Sequence, residues 1–265
     1  MPTANELFDR YVSKGPVEPE VFGGLELYLA EGDLLLDKVQ LDAFCQQLAK
    51  RMAGVLPGDM KEGLVAMTDD GDHILRWRPG KLLTYAVLKN SFGNNAWYQI
   101  AVDAMHQATA SWESICGVEF EHLAALDTGI TAGAESPAFL VGRVNAGGDF
   151  IAAAFFPDDP PVRRRVVIDP SFFAANLNYD RVGVLRHELG HVLGFRHEHI
   201  LSGAPAICPN EDVEHILPLG IYDPTSVMHY FCGGAGTRTL EFSLRDREDA
   251  PKVYGPPHTT FRYYD

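Results

Sequence analysis

Apolar and polar residues recur with two different periods along the chain, and this pattern predicts most of its regular elements. After the NSFGNN segment at 90–95, apolar residues from Ile100 to Trp112 repeat every 3.6 positions, which predicts an amphipathic helix. Short apolar runs typical of strands precede and follow it: LLTYAVL at 82–88, GVEFEHL at 117–123, AFLVGRV at 138–144, FIAAAFFP at 150–157 and RVVIDP at 165–170. A helix among several strands predicts an α+β fold with a mixed sheet.

Two further helices are predicted from their end signals. The first spans Asp180 to Leu193, with Asp180 as the N-cap and Gly194 as the residue that ends the helix. Some fifty residues rich in proline and glycine follow, which predicts an irregular region. A last helix is predicted to start at Ser243, because Ser243 and Asp246 have the spacing of a capping box.

Residues 1–72 form a distinct preamble in the sequence. It contains a short amphipathic start, the strand-like LELYLAEGDLLL at 25–36, and a helix predicted after Asp37 that stops at Gly54. The TDDGD turn at 68–72 then separates GLVAM from HILRW, which indicates either a hairpin or a boundary. We therefore predict two units, residues 1–72 and residues 73–265.

Composition and charge limit the classes of binding partner that we expect for this protein. The 265 residues are 46% hydrophobic, with a formal net charge of −14 and a pI near 5.1. This acidic balance argues against nucleic-acid and anionic-membrane partners, because it repels phosphate. No apolar stretch approaches the roughly 20 residues of a membrane helix, and the start of the chain has no signal-peptide pattern.

Four cysteines are too few for a disulfide scaffold, and none lies in a C-x-x-C pair. Cys208 and Cys232 flank the same loop region, so they could pair in an oxidising compartment. The alternative is that all four are buried free thiols.

The segment RHELGHVLGFRHEHI at 186–200 contains the candidate metal ligands and a candidate general base. Four positions apart on a helix, His187 and His191 share one face and can bind one ion, while Glu188 lies beside it as a general base. Gly194 can turn the chain so that His197 becomes the third ligand. Three imidazoles and a water describe an open, catalytic zinc site. The remaining histidines, among them His106, His122 and His199, are predicted to be ordinary surface or core residues.

This His-Glu-x-x-His-x-x-Gly-x-x-His pattern resembles the zinc signature of the metzincin metallopeptidases, and its continuation by Glu198 and by SVMHY at 226–230 is most similar to the astacin group. The resemblance spans about 77–255 and includes FSLRDREDAPKVYG at the C-terminal end. It implies a twisted mixed sheet with two long helices above an active-site cleft, and an irregular lower part with a C-terminal helix. It also implies that Met228 lies in a tight turn under the histidines and that Tyr230 approaches the zinc and stabilises the transition state.

The expected activity is that of a zinc-dependent endopeptidase in which Glu188 accepts a proton from a metal-bound water. The expected substrates are proteins or peptides, extended along a sheet edge for which 150–157 is the candidate; a buried strand is the alternative interpretation. The family resemblance favours a secreted protein, although the given chain shows no signal and a cytoplasmic location stays open.

Two departures from the astacin pattern limit this expectation. ILSGAPAICPN at 200–210 replaces an arginine- and aspartate-rich stretch, and the cysteines lie at other places. The chain therefore resembles either a divergent bacterial-type astacin or an intermediate towards matrixins. A catalytically silent, zinc-containing peptide-binding module is the alternative of another class.

The preamble also contains a candidate latency switch. In astacin propeptides an aspartate in Phe-x-Gly-Asp caps the zinc, and here Glu31-Gly32-Asp33 resembles that motif without its phenylalanine. The hypothesis is that residues 1–72 are an inhibitory prosegment with Asp33 as its zinc-binding residue; a simple Gly-Asp turn is the alternative. Cys45 is a weaker candidate because it lies within a helix. The resemblance further implies a salt bridge between Glu198 and a newly released N-terminus.

Overall fold

The structure is a computed structural model that describes residues 2–30, 32–53, 64–69, 73–129, 136–200, 204–208 and 215–258. Its five α-helices and ten strands, in chain order, are α1 Ala4–Val12, β1 Tyr28–Ala30, β2 Leu34–Leu36, α2 Lys38–Met52, β3 Val65–Met67, β4 Leu82–Val87, α3 Asn95–Glu113, β5 Glu119–His122, β6 Phe139–Arg143, β7 Ala152–Ala153, β8 Arg165–Ile168, α4 Arg181–Val192, β9 Phe195–Arg196, β10 Ile216–Pro218 and α5 Leu244–Tyr254.

The largest sheet has five strands in the order β5-β4-β6-β8-β7. Its first four strands are parallel, whereas β7 pairs antiparallel with β8, so the sheet is mixed as predicted. The predicted α+β class is confirmed. Only Ala152–Ala153 of the predicted 150–157 run form a regular strand, at the edge of this sheet and buried.

Helices α3 and α4 pack against each other and form much of the main core. The predicted apolar stripe of α3 is buried apart from Ile100, which is half-buried, and it ends at Trp112, which is fully enclosed. The Trp112 indole donates a 2.8 Å hydrogen bond to the carbonyl of Arg186 in α4, and its ring stacks on Phe195. This aromatic residue therefore fixes the position of α4 through both apolar burial and a polar contact.

A second sheet, in the order β10-β3-β9, joins residues 65–67 to the segments that follow α4. Thr68 and Ile74 form an antiparallel bridge, which agrees with the predicted hairpin, whereas the turn residues 70–72 lie outside the described residues. The boundary at residue 72 stays a prediction.

The N-terminal segment contains α1, α2 and the hairpin of β1 and β2. It has a small apolar cluster of its own, centred on Leu41 and Phe44. The hairpin packs against the main sheet, because Leu35 shares a second cluster with Phe150 and Val167, and Leu34 forms a parallel bridge with Ala154. The α2 helix follows Asp37 as predicted; its predicted stop at Gly54 lies outside the described residues.

The C-terminal helix α5 starts as predicted, with Ser243 as N-cap and a complete capping box with Asp246. Cys208 and Cys232 are paired in a disulfide, as one interpretation predicted, so the alternative of four free thiols is wrong. Cys45 and Cys116 are buried free thiols. Within the described part of the chain, no helix has the length and apolar character needed to cross a membrane.

Candidate metal centre and cleft

Helix α4 places the first two histidines of the motif. Asp180 caps its N-terminus by accepting a 2.7 Å hydrogen bond from Gly183 N. One turn apart, His187 and His191 each donate from Nδ1 to a backbone carbonyl, of Val227 at 2.7 Å and of Phe195 at 2.8 Å. These bonds fix both rings with Nε2 pointing into the same buried space.

Gly194 ends α4 and redirects the chain, as its place in the motif predicts. Its φ is +90°, and a Cβ there would lie 2.4 Å from the carbonyl oxygen of Leu75, so both conformation and space require glycine. The chain then enters β9, which pairs with β3. His197 follows directly, and its Nε2 lies 3.1 Å from His191 Nε2.

Asp33 enters the same space from the N-terminal segment, at the turn between β1 and β2. One carboxylate oxygen, Oδ2, is 3.2 Å from the Nε2 atoms of both His187 and His197, and Oδ1 is 3.7 Å from His191 Nε2. All four side chains are buried, and their ligand atoms lie within 4.8 Å of one another. A contact across 154 residues of sequence thus joins the preamble to the zinc motif.

The donor set of this cluster fits a zinc ion. Because His187 and His191 donate from Nδ1, the Nε2 atom of each neutral ring carries a lone pair; burial lowers the pKa of His191 to about 4. Nitrogen lone pairs and a carboxylate that face one another repel unless positive charge lies among them, and a metal ion would supply that charge. Their separations bracket the roughly 3.3 Å expected between nitrogens bound to tetrahedral zinc.

Glu188 lies beside the cluster and lines a cavity of about 310 Å³. The side chain is 2% exposed, and its Oε2 atom has no hydrogen-bond partner among the described residues. Burial, and to a lesser degree the charge of Asp33, raise the pKa of Glu188 well above its ordinary value. A carboxylate in this state readily holds a proton, as a general acid and base requires.

The turn beneath the histidines is organised by Asp246. Its carboxylate accepts hydrogen bonds from Ser226 Oγ at 2.7 Å and from Val227 N at 2.8 Å. The neighbouring Met228 is buried, and its sulfur would lie 2.3 Å from a Cβ at Gly190, so the thioether packs closely on α4. From the sequence, Asp246 is predictable only as part of a helix cap, because its second role depends on a contact across 20 residues.

Tyr230 lies over the histidine cluster. Its ring centroid is 4.4 Å from that of His197 and 5.7 Å from that of His187, and a Cβ at Gly32 would lie 2.6 Å from its hydroxyl oxygen. His199 stacks on Tyr230, with centroids 4.8 Å apart, and also on His197, at 5.0 Å. The N-terminal segment therefore presses against the tyrosine as well as against the histidines.

Glu198 is completely buried below the site. Its backbone N–H donates to Met228 O at 2.9 Å, and its carboxylate accepts a hydrogen bond from the backbone N–H of Asp223. Burial raises the pKa of Glu198 to about 9. The structure places this carboxylate next to the turn, and its predicted salt bridge to a released N-terminus stays a prediction.

The cavity beside Glu188 is mainly apolar. Much of its lining comes from aliphatic and aromatic side chains of the β6–β7 connection, of the segment before α4, of α4 itself and of the segment before α5: Phe150, Ile151, Tyr179, Val184 and Leu240. Asp33 and Gly32 form part of its wall. The N-terminal segment thus forms one side of this cavity.

Arg163 holds the N-terminal hairpin beside this cavity, and no sequence pattern pointed to it. The guanidinium donates to Leu35 O at 2.9 Å and contacts Asp37 at 3.2 Å, while it also pairs with Asp159 at 3.1 Å. Arg163 and Asp159 are both buried. One arginine therefore connects the segment that carries Asp33 to the body of the protein.

Comparison with known proteins finds solved structures with a similar fold. No family model matches the chain, and no curated protein matches it. Two solved structures of myroilysin are similar, each with 14% sequence identity. One has a TM-score of 0.49 and covers 74% of this chain and all of its own; the other has a TM-score of 0.44 and covers 68% and 86%. At this identity the likeness concerns the fold alone.

Proposed function

We propose that this protein is a zinc-dependent endopeptidase. The observation that carries the proposal is the convergence of His187, His191 and His197 in one buried cluster, with Glu188 at its side and a cavity in front. Three neutral imidazoles leave a coordination position for water or substrate, which distinguishes a catalytic site from a structural one. In the described structure, the carboxylate of Asp33 lies against the Nε2 atoms that would hold the ion.

The proposed roles follow from the positions of the side chains. The three histidines would hold a zinc ion, which would supply Lewis-acid polarisation of a carbonyl and lower the pKa of a bound water. Glu188 accepts the proton of that water and delivers it to the leaving amine, a task that its buried position and raised pKa support. Tyr230 donates a hydrogen bond to the developing oxyanion. Met228 supports the histidines from below.

The substrate is proposed to be a protein or peptide in extended form. Strand β7 is the edge of the main sheet, and Leu34 of the N-terminal segment already pairs with Ala154 next to it. A substrate peptide is proposed to add to this edge by main-chain hydrogen bonds in the same way as Leu34 does. The apolar cavity beside Glu188 favours an apolar side chain next to the cleaved bond.

The described form is proposed to be latent. Asp33 caps the histidine cluster, Gly32 crowds Tyr230, and Arg163 fastens the hairpin that carries both. Residues 1–72 are therefore proposed to be a prosegment, removed or displaced on activation. Glu198 is proposed to receive the new N-terminus, since a buried carboxylate becomes favourable when it is paired.

An astacin-like type of metzincin is the proposed subtype, supported by the turn with Met228 and Tyr230. A matrixin-like peptidase is the alternative, supported by the departure at 200–210 and by the cysteine positions. A catalytically silent zinc-containing module is the alternative of another class. Against it stands Glu188, which a site that only binds metal does not need.

Casein cleavage by the purified protein, before and after trimming of the preamble, tests the enzymatic proposal. We expect cleavage that a zinc chelator abolishes and that added zinc restores. The Glu188→Gln variant should retain zinc, measured by elemental analysis, and lose cleavage by roughly 100-fold or more. Glu248→Gln changes an exposed glutamate and should cleave like the parent. Without chelator-sensitive cleavage in any form, the silent module would be the better interpretation.

The latency proposal is tested by Asp33→Ala in the full-length chain. Since the carboxylate no longer caps the cluster, we expect casein cleavage without removal of the preamble. Asp42→Ala, an exposed aspartate in α2, is the matched control and should stay as inactive as the parent. A full-length parent that already cleaves at the rate of the trimmed enzyme would remove the latency proposal while leaving the peptidase intact.

A further inference from the structure

A second pair of histidines meets on the far edge of the main sheet. His106 lies on α3 and His122 at the end of β5, and His106 Nε2 is 3.0 Å from His122 Nδ1. His106 is exposed, whereas the side chain of His122 is 9% exposed. The sequence predicts ordinary surface or core residues at both positions, because the histidines outside the 187–197 motif are scattered along the chain.

The inner ring of this pair is held by a buried carboxylate. His122 Nε2 lies 3.0 Å from both carboxylate oxygens of Asp127, which is 2% exposed. Asp127 is itself fixed, because it accepts hydrogen bonds from Val87 N at 2.8 Å and from Tyr98 Oη at 2.6 Å. The His122 ring also stacks on Tyr85, with centroids 5.0 Å apart and planes 7° from parallel.

This arrangement determines where the protons lie. A ring nitrogen that faces a carboxylate carries its proton there, so neutral His122 donates from Nε2 to Asp127 and presents a lone pair on Nδ1. That lone pair points towards Nε2 of His106. A carboxylate behind a histidine whose other nitrogen is free is the arrangement that supports histidine ligands in metal sites.

The separation of the two nitrogens matches that of ligands on one ion. Two imidazole nitrogens about 2.0 Å from a metal lie about 2.8 Å apart at a right angle and about 3.3 Å apart at a tetrahedral angle. The observed 3.0 Å falls between these values. Because His106 is exposed, its ring can adjust by a few tenths of an ångström, and the other positions on the ion face water.

We propose that His106 and His122 form a second metal site, for a divalent transition-metal ion that prefers imidazole, such as zinc, copper or nickel. Asp127 acts as a positioning residue for His122. The ion would tie α3 to β5 and so stabilise the native fold, since a ligand that binds only the folded state shifts unfolding. Strand β5 lies at the edge of the sheet opposite β7, so this site is separate from the cluster beside Glu188.

The experiment compares zinc content in the full-length protein. Parent and His106→Ala proteins are stripped with a chelator, equilibrated over a series of buffered free zinc concentrations, and assayed for zinc per chain by mass spectrometry. We expect the parent to bind one more zinc ion per chain than His106→Ala. On zinc addition, the thermal midpoint of the parent should also rise further than that of His106→Ala. Casein cleavage, where present, should be equal in both proteins.

His258→Ala is the matched control, because His258 is an exposed histidine that pairs with Glu119 on the same strand β5. It should bind as much zinc as the parent. Asp127→Asn should weaken the additional site about 10–100-fold while leaving its stoichiometry unchanged. Equal zinc content in parent and His106→Ala at every concentration would overturn the proposal, whatever the peptidase assay shows.

Discussion

The contact between Gly32 and Tyr230 allows a quantitative test of how the N-terminal segment is seated. In Gly32→Ala, the new Cβ would meet two obstacles. The residue has φ +85°, where a side chain is strained, and the Cβ would lie 2.6 Å from the Tyr230 hydroxyl oxygen. The ring of Tyr230 packs against both His197 and His199, so moving it away would cost these two contacts.

The two obstacles can be separated by Gly24→Ala. Gly24 lies in the same segment with φ +92°, and nothing lies within 4 Å of a Cβ there. Gly24→Ala should therefore show only the conformational cost, about 1–2 kcal/mol. Gly32→Ala should show that cost and an additional overpacking cost of about 1–3 kcal/mol. The additional cost corresponds to a thermal midpoint about 2–12 °C below that of Gly24→Ala.

Thermal unfolding by circular dichroism measures these differences without relying on activity. Adding Tyr230→Phe to Gly32→Ala removes the oxygen that the Cβ meets, so more than half of the additional loss should be recovered. Tyr230→Phe added to Gly24→Ala should recover nothing. Equal midpoints for the two alanine variants, or no recovery in the double variant, would show that the segment does not press on Tyr230 in solution.

Three further predictions concern the core. Gly190→Ala should cost about 1–3 kcal/mol of unfolding free energy, because its Cβ would overlap the sulfur of Met228, and Met228→Ala should relieve part of that cost when urea denaturation is compared. Trp112→Phe should cost about 1–3 kcal/mol by the same measurement, because a buried carbonyl of α4 loses its 2.8 Å donor. Burial raises the pKa of Cys45 to about 11 and that of Cys116 to about 12, so a thiol reagent at pH 8 should find no thiol in the native protein. It should find two after denaturation and four after reduction; four without reductant would contradict the disulfide.

Local signals made much of the fold predictable. The caps of α4 and α5 depend on residues three positions apart, and the turn at Gly194 depends on one glycine, so the sequence alone indicates them. The face shared by His187 and His191 follows from helical periodicity alone. These features need no knowledge of which segments meet in space.

Features that depend on long-range contacts could not be predicted from the sequence. Arg163 carries no motif, and its role arises only because the hairpin of β1 and β2 packs against the main sheet. The pairing of His106 with His122 likewise depends on how α3 lies across β5. Strand β7 is shorter than its apolar run suggests, because the run continues past the pairing with β8. Apolar character predicts burial at such positions but not regular pairing.

Under the proposed latency, the covalent connection between Asp33 and the histidine cluster would make inhibition a matter of local concentration. Within one chain, the carboxylate would compete with substrate at an effective concentration on the order of millimolar, which dilution cannot reduce. A break in the backbone between the two would convert the same contacts into an ordinary bimolecular equilibrium. The extent of self-inhibition would then depend on the amount of protein present, so a nicked preparation should gain activity per molecule on dilution, whereas an intact one should not.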